Sequence, residues 1–170
     1  MLISSTFDQT KNMSPGIGIQ APEFTLYDSE KNKVSLSDFK GKNVLILFFP
    51  LAFTRVCTTE LCQVRDNIHV YQNLQVEILA ISVDSLYTLA KYKSQENLNF
   101  TLLSDFNKEV SILYNSYYDV FSYGMRGVSK RSAFLIDKEG VIKYLEILED
   151  AGQVPQIGKI EELLVRMANG

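Results

Sequence analysis

Tryptophan is absent from this chain, histidine occurs once, cysteine twice and proline only four times. A single histidine, His69, excludes a metal centre built on several imidazoles. Two cysteines are too few for the disulfide-dense framework of a small secreted domain. Positive charge is not in excess. The formal net charge of -3 argues against nucleic acid or an anionic membrane as the main partner. Long hydrophobic runs are also missing: the longest, "VLILFF" from Val44 to Phe49, falls far short of a bilayer's thickness. The stretch "MLISSTFDQTKNMSPGIG" has neither a basic start nor a long apolar segment, unlike a secretory signal. The expected location is therefore cytoplasmic, with no membrane attachment. Thiols in that compartment are kept reduced, so two neighbouring cysteines point to catalytic or redox chemistry rather than to a structural bridge.

What is present suits one folded unit. A chain of 170 residues, 46% hydrophobic and 22% charged, can bury a single sizeable core. We expect one domain over residues 1–170, with residues 1–14 as a loose N-terminal arm. No internal repeat or low-complexity segment is visible. Short alternating strands flank the turn "DSEKNK". "VLILFF" is continuously apolar and β-rich, as a central strand covered on both faces must be. Pro50 ends it, because proline cannot continue a ladder. A helical pattern runs from about Val56 to Asn73. "VEILAISVD" reads as a second buried strand, and "SLYTLAKYKSQEN" as a helix capped by Asp84 or Ser85. "FTLLSD" reads as a short strand and "NKEVSILYNSYY" as a helix. "RSAFLIDKEGVIKYLEIL" reads as two strands joined at Lys138-Glu139-Gly140. Pro155 opens a last helix with Ile157, Ile160, Leu164 and Met167 on one stripe. Strands alternating with helices and closed by a hairpin imply an α/β architecture. The expected fold is thioredoxin-like, a mixed central sheet with flanking helices and an N-terminal extension.

Both cysteines lie in "PLAFTRVCTTELC". On a helical wheel Leu61, Val64, Ile68 and Tyr71 form one stripe, with Cys57 on the same side. Thr58, Cys62, Asp66 and His69 project to the polar side. Five residues of helix give roughly 7.5 Å of rise and about 140° of rotation, so the two Cα atoms stand roughly 9 Å apart. A disulfide tolerates about 7 Å. Bonding Cys57 to Cys62 therefore requires the helix to unwind locally. Cys57 falls in the first helical turn, where free backbone N–H groups and the helix dipole favour an anion such as a thiolate. The Thr54 hydroxyl can hydrogen-bond beside the sulfur. Pro50 stiffens the loop that carries both. Together these residues suit a nucleophilic thiolate.

Pro50-x-x-x-Thr54-x-x-Cys57 resembles the active-site signature of the peroxiredoxins, thiol peroxidases with a thioredoxin-like fold. The resemblance covers most of the chain. "GIQAPEFTL" is similar to the family's N-terminal stretch, and "KNVLILFFPLAFTRVCTTEL" to its strand, loop and first catalytic helix. "RSAFLIDKEGVIKY" resembles the strand that carries an active-site arginine, which implies Arg131. Glu60 matches a position whose carboxylate orients that arginine. Cys-x4-Cys resembles the bacterioferritin comigratory protein (PrxQ) group, in which the second cysteine resolves the first. "FFPLAFT" and "LAISVDS" resemble the AhpE group, so the chain stands between the two. No cysteine follows Cys62, which excludes the two-cysteine type with a C-terminal resolving thiol.

The resemblance implies that Cys57 reduces hydrogen peroxide or organic hydroperoxides and becomes a sulfenic acid. Thr54, the Cys57 backbone N–H and Arg131 would hold the peroxide oxygens. Cys62 would then close an intrachain disulfide that thioredoxin or a similar thiol reductant reopens. Neither metal nor organic cofactor is implied, nor any nucleic acid or membrane partner, and the chain is expected as a monomer or homodimer. Two readings of Cys62 stand: a resolving thiol, or a structural cysteine in an enzyme that relies on an external thiol. Other bland readings are that Thr54 merely caps the helix, that Arg131 is an ordinary strand-edge cation like nearby Arg126 and Lys130, and that His69 is a surface residue. A thioredoxin-type disulfide reductase is the rival activity. It needs its cysteines two residues apart and a proline near Arg131, and this chain has neither. A binding or chaperone module without chemistry would have no need of Pro50, Thr54, Cys57 and Arg131 together.

Overall fold

The structure is a computed structural model, and it describes residues 14–170. The loose arm expected over residues 1–14 lies, apart from Ser14, outside the described residues. The strands are β1 (Thr25–Asp28), β2 (Lys33–Ser35), β3 (Asn43–Phe48), β4 (Val76–Ser82), β5 (Thr101–Ser104), β6 (Tyr117–Tyr118), β7 (Val128–Ser129), β8 (Ser132–Ile136) and β9 (Ile142–Ile147). The helices are α1 (Arg55–Asp66), α2 (Ile68–Asn73), α3 (Leu86–Gln95), α4 (Glu109–Leu113) and α5 (Ile157–Asn169). A seven-stranded sheet has the order β2-β1-β5-β4-β3-β8-β9, and β6 pairs with β7 apart from it. β3, β4 and β5 run parallel, while β8 lies antiparallel to β3. The sheet is mixed and flanked by helices, the thioredoxin-like arrangement.

Every residue of β3 is buried. Successive side chains of a strand point to opposite faces. Leu45 and Leu47 therefore join one core with Leu61, Val64, Tyr71, Ile160 and Leu164. Val44, Ile46 and Phe48 join the other, with Phe24, Tyr114 and Phe134. Each such side chain is worth about 1.5–3 kcal/mol when fully buried. That two-sided burial is why the strand is apolar without alternation. The Phe49 N–H reaches Ile81 O at 3.0 Å and extends the ladder by one residue. Pro50 has no N–H to add, and the chain turns away.

Several helix boundaries differ from the sequence expectation. The single helix read from Val56 to Asn73 is two helices, broken at Asn67. There the Asn67 side-chain amide donates to Gln63 O at 2.9 Å, and its backbone leaves helical geometry at φ -109 and ψ 18. Asparagine commonly competes with the helix ladder in this way. α4 is much shorter than the run "NKEVSILYNSYY". Asn115 adopts φ 54, and Ser116 N–H returns to Ser111 O at 2.8 Å, which ends the helix. Tyr117 and Tyr118 then pair with Ser129 and Val128. Ser85, not Asp84, caps α3, accepting from Thr88 N–H at 3.1 Å. α5 begins at Ile157 after the cap residue Gln156, two positions beyond Pro155. Its Ile160 and Leu164 are buried, with Ile157 and Met167 packed beside them. No helix among the described residues is long and apolar enough to cross a membrane.

Candidate active site

The pairing of β3 with β8 assembles the site. Phe48 stands opposite Ser132 in an antiparallel ladder. The residue before Ser132 therefore lies beside the end of β3, where the chain turns through Pro50 into α1. That residue is Arg131. Its Nη2 donates to Cys57 Sγ at 3.1 Å, its Nη1 to Glu60 Oε2 at 2.6 Å and its Nε to Ala151 O at 3.1 Å. Cys57 and Glu60 are three residues apart on α1 and so share a face. All three side chains are buried: Cys57 is 0% exposed, Glu60 1% and Arg131 1%. The neighbouring cations are placed elsewhere. Arg126 is exposed, and Lys130 pairs with Glu149 at 2.6 Å on the surface.

Burying two charges is costly unless the geometry is good and hydrogen bonds satisfy them. The fork of Arg131 meets both the Cys57 sulfur and the Glu60 carboxyl, but Glu60 Oε1 has no hydrogen-bond partner among the described residues. Burial raises the Glu60 carboxyl to about 7, and the attraction of Arg131 offsets this only in part. Burial acts to lower Arg131, but Cys57 and Glu60 outweigh it and hold the guanidinium above its usual range. The site thus keeps a fixed positive charge within hydrogen-bonding distance of the sulfur, in surroundings where electrostatic interactions are strong.

The loop before α1 is tightly held. Pro50 is buried. The Ala52 N–H donates to Asp84 Oδ2 at 2.8 Å. Phe53 adopts φ 67, the left-handed region that a bulky residue rarely enters. Thr54 occupies the cap position of α1 but makes no side-chain cap bond; its Oγ1 donates to Leu51 O at 2.7 Å. The capping role considered for Thr54 is thus not played by its hydroxyl. Having donated its proton, the oxygen retains acceptor capacity. Cys57 is the third residue of α1, so its backbone N–H is one the helix leaves without an internal partner.

Cys62 lies on α1 but not on a wholly polar face. It is half-buried and packs against the core that contains Cys57. Its Sγ stands 3.9 Å from Glu96 Oε2. Burial pushes this thiol up, Arg65 pulls it down, and Glu96 adds to the rise. Both cysteines are free thiols. α3 grips the same helix: Thr58 Oγ1 and Tyr92 OH are 3.0 Å apart, and Arg65 Nη1 donates to Glu96 O at 2.5 Å. His69 is exposed on α2. The sequence reading did not single out Tyr92, Glu96, Ala151 or the loop contact of Asp84. Asp84 carried only a capping signal, because contacts between distant segments leave no local spacing to read.

Comparison with known proteins shows the family. The AhpC/TSA family profile matches residues 17–145. Alkyl hydroperoxide reductase E of Mycobacterium tuberculosis is 38% identical over 139 residues, covering 81% of this chain and 88% of that protein. The reduced 2-Cys peroxiredoxin of Plasmodium vivax superposes with a TM-score of 0.78 at 30% identity, over 90% of this chain and 82% of that one. Peroxiredoxin Q of Xanthomonas campestris shares the fold, with a TM-score of 0.73 at 22% identity, over 85% of this chain and 91% of that one. Most of the chain is covered in each case, so the chain belongs to the AhpC/TSA family and is a peroxiredoxin, a thiol-dependent peroxidase.

Proposed function

We propose that Cys57 is the thiol that attacks the peroxide and that Cys62 resolves the product. The observation that carries the first part is the 3.1 Å contact between Arg131 Nη2 and Cys57 Sγ. A guanidinium there donates to the sulfur and can donate to a peroxide oxygen beside it, and the thiolate form of a cysteine is the nucleophile. The thiolate attacks the terminal oxygen of hydrogen peroxide or an organic hydroperoxide. The S–O bond forms as the O–O bond breaks, and the leaving oxygen takes a proton and departs as water or alcohol. Thr54 Oγ1, the Cys57 N–H and Arg131 surround the reacting oxygens and stabilise the charge that moves onto them. Glu60 positions Arg131 through its 2.6 Å bond. Pro50 ends β3 and directs the loop. Cys57 has no exposed surface, so a peroxide reaches it only when the covering side chains part, a gating motion of a common kind.

The sulfenic acid then condenses with the Cys62 thiol, giving a disulfide and water. A dithiol reductant such as thioredoxin restores both thiols by exchange. The place of Cys62 as a free thiol on the same helix as Cys57 supports this reading. The alternative is a one-cysteine enzyme that takes an external thiol. No cofactor enters the scheme, and a cytoplasmic monomer or homodimer meets its needs.

The test is peroxide consumption with thioredoxin and its reductase, compared with insulin disulfide reduction. Wild-type protein should consume peroxide and, with a small dithiol in place of thioredoxin in the insulin assay, leave insulin intact, and Cys57→Ser should consume no peroxide. A Cys57→Ser protein with wild-type turnover overturns the assignment of Cys57. A Cys62→Ser protein with wild-type thioredoxin-dependent turnover overturns that of Cys62.

A further inference from the structure

Asp84 lies two residues past the end of β4, outside the cysteine helix, yet its carboxylate reaches the loop that leads to Cys57. β3 and β4 are parallel neighbours with Phe48 opposite Ile81, so the chain just past β4 runs beside the chain just past β3. Asp84 Oδ2 accepts from the Ala52 N–H at 2.8 Å and from Ser82 Oγ at 2.7 Å. The backbone of Asp84 is fixed as well. Its N–H donates to Ser82 Oγ at 3.2 Å, and its carbonyl accepts from Ser104 Oγ at 2.6 Å. Ser82 is fully buried, so the carboxylate is braced from the sheet and not from mobile surface groups.

What Asp84 holds is a strained turn. Phe53, next to Ala52, sits at φ 67. A residue of this size persists there only when its surroundings over-determine it. Three contacts do so: the Ala52 amide on Asp84, the Thr54 hydroxyl on Leu51 O, and the Phe53 ring against Tyr92 at 4.9 Å between centroids. Among these, the Asp84 bond is the one that ties the turn's backbone to the sheet. Thr54 follows Phe53 directly, so the turn sets where its hydroxyl points.

We infer that Asp84 is a positioning residue for peroxide activation: by fixing the Ala52 amide it locks the Phe53 turn and so aims Thr54 at the oxygens that Cys57 attacks. This rests on the reading of Cys57 and Thr54 given above. The hydrogen bonds of Asp84 go to Ala52, Ser82 and Ser104 and to neither sulfur, so it acts through the loop. Its loss should therefore impair peroxide activation while sparing the sulfur's reaction with a reagent that needs no aimed oxygen, since the Arg131 contact with the sulfur is untouched.

Stopped-flow oxidation of Cys57 by hydrogen peroxide tests this in a Cys62→Ser background, where only one thiol reacts. Alkylation by iodoacetamide, which needs the thiolate but no oxygen-aiming loop, is measured alongside. Asp84→Ala should oxidise about tenfold more slowly, the scale of a small misplacement of reacting groups. Its alkylation should stay within about twofold of the reference, since the groups around the sulfur are unchanged. Asp84→Asn keeps an oxygen acceptor and should recover most of the peroxide rate. Unchanged oxidation in Asp84→Ala, or oxidation and alkylation falling together, overturns the inference. So does failure of Asp84→Asn to recover. If Asp84→Ala does not fold, Ser82→Ala removes the brace, and the same selective loss of peroxide rate is required of it. A reference protein that forms no sulfenic acid at Cys57 defeats the reading of Cys57 itself. A reference that does, with variants equal to it, defeats only the role of Asp84.

Discussion

Arg131 Nη2 lies 3.1 Å from Cys57 Sγ across a separation of 74 residues. The same guanidinium reaches Glu60 at 2.6 Å, and both charged groups are shielded from solvent. One cation thus stands between a thiol and a carboxyl group in a site closed to water.

Replacing Arg131 by Met should slow sulfenic acid formation about a hundredfold, the scale seen when a preorganised donor to a developing oxyanion is removed. Stopped-flow peroxide reaction measures it. The fold should also suffer, because removing one partner of a buried pair costs about 3–5 kcal/mol. The double variant Arg131→Met with Glu60→Gln should regain stability but not rate. A double variant that oxidises at the wild-type rate would assign the work to another group.

Glu60 should make stability depend on pH. Its carboxyl is raised from 4.5 to about 7, chiefly by burial, so between those values the folded state binds the proton more tightly than the unfolded state. Stability then falls as pH rises through that window. Glu60→Gln mimics the protonated form and removes the dependence. Urea unfolding at pH 5, 6, 7 and 8 should show the variant gaining on wild type as pH rises. A constant difference across the series contradicts the shifted carboxyl.

Oxidation should open α1. Its intact geometry separates the Cα atoms of Cys57 and Cys62 by roughly 9 Å, beyond disulfide reach. Peroxide-treated protein should carry an intrachain Cys57–Cys62 bond by mass spectrometry. Hydrogen exchange over residues 55–66 should rise with it. Sulfenic acid without a disulfide, and unchanged exchange, would favour the one-cysteine alternative.

The Tyr92 hydroxyl, 3.0 Å from Thr58 Oγ1, should hold that opening back. Tyr92→Phe removes this bond and leaves the aromatic packing in place. Disulfide formation after sulfenic acid should quicken about fivefold, the equivalent of one ordinary hydrogen bond of about 1 kcal/mol. Rapid acid quench and thiol labelling would follow it. Resolution no faster than wild type would place the barrier elsewhere in the helix.

Local patterns in the chain determined much of this protein. The apolar run 44–49 dictates a doubly covered strand, because no face of it can meet water. Pro50 dictates its end, since it has no N–H to give. The spacing of Pro50, Thr54 and Cys57 places a thiol in the first turn of a helix, and the resemblance it carries pointed to the family. Other features were decided only by tertiary structure. Asn67 breaks a helix whose apolar stripe continues through it, because a side-chain bond to Gln63 O competes with the ladder. The wheel puts Cys62 among polar neighbours, yet packing of α1 against the sheet and α3 half-buries it beside Glu96. Among Arg126, Lys130 and Arg131, spacing from Cys57 makes no choice. The register of β8 on β3 does, because it sets Arg131 beside the end of β3 and leaves Lys130 to pair on the surface. Asp84 looked like a helix cap in one dimension and proved to hold a loop in three, since hydrogen bonds between adjacent strand ends depend on the sheet and not on the local sequence.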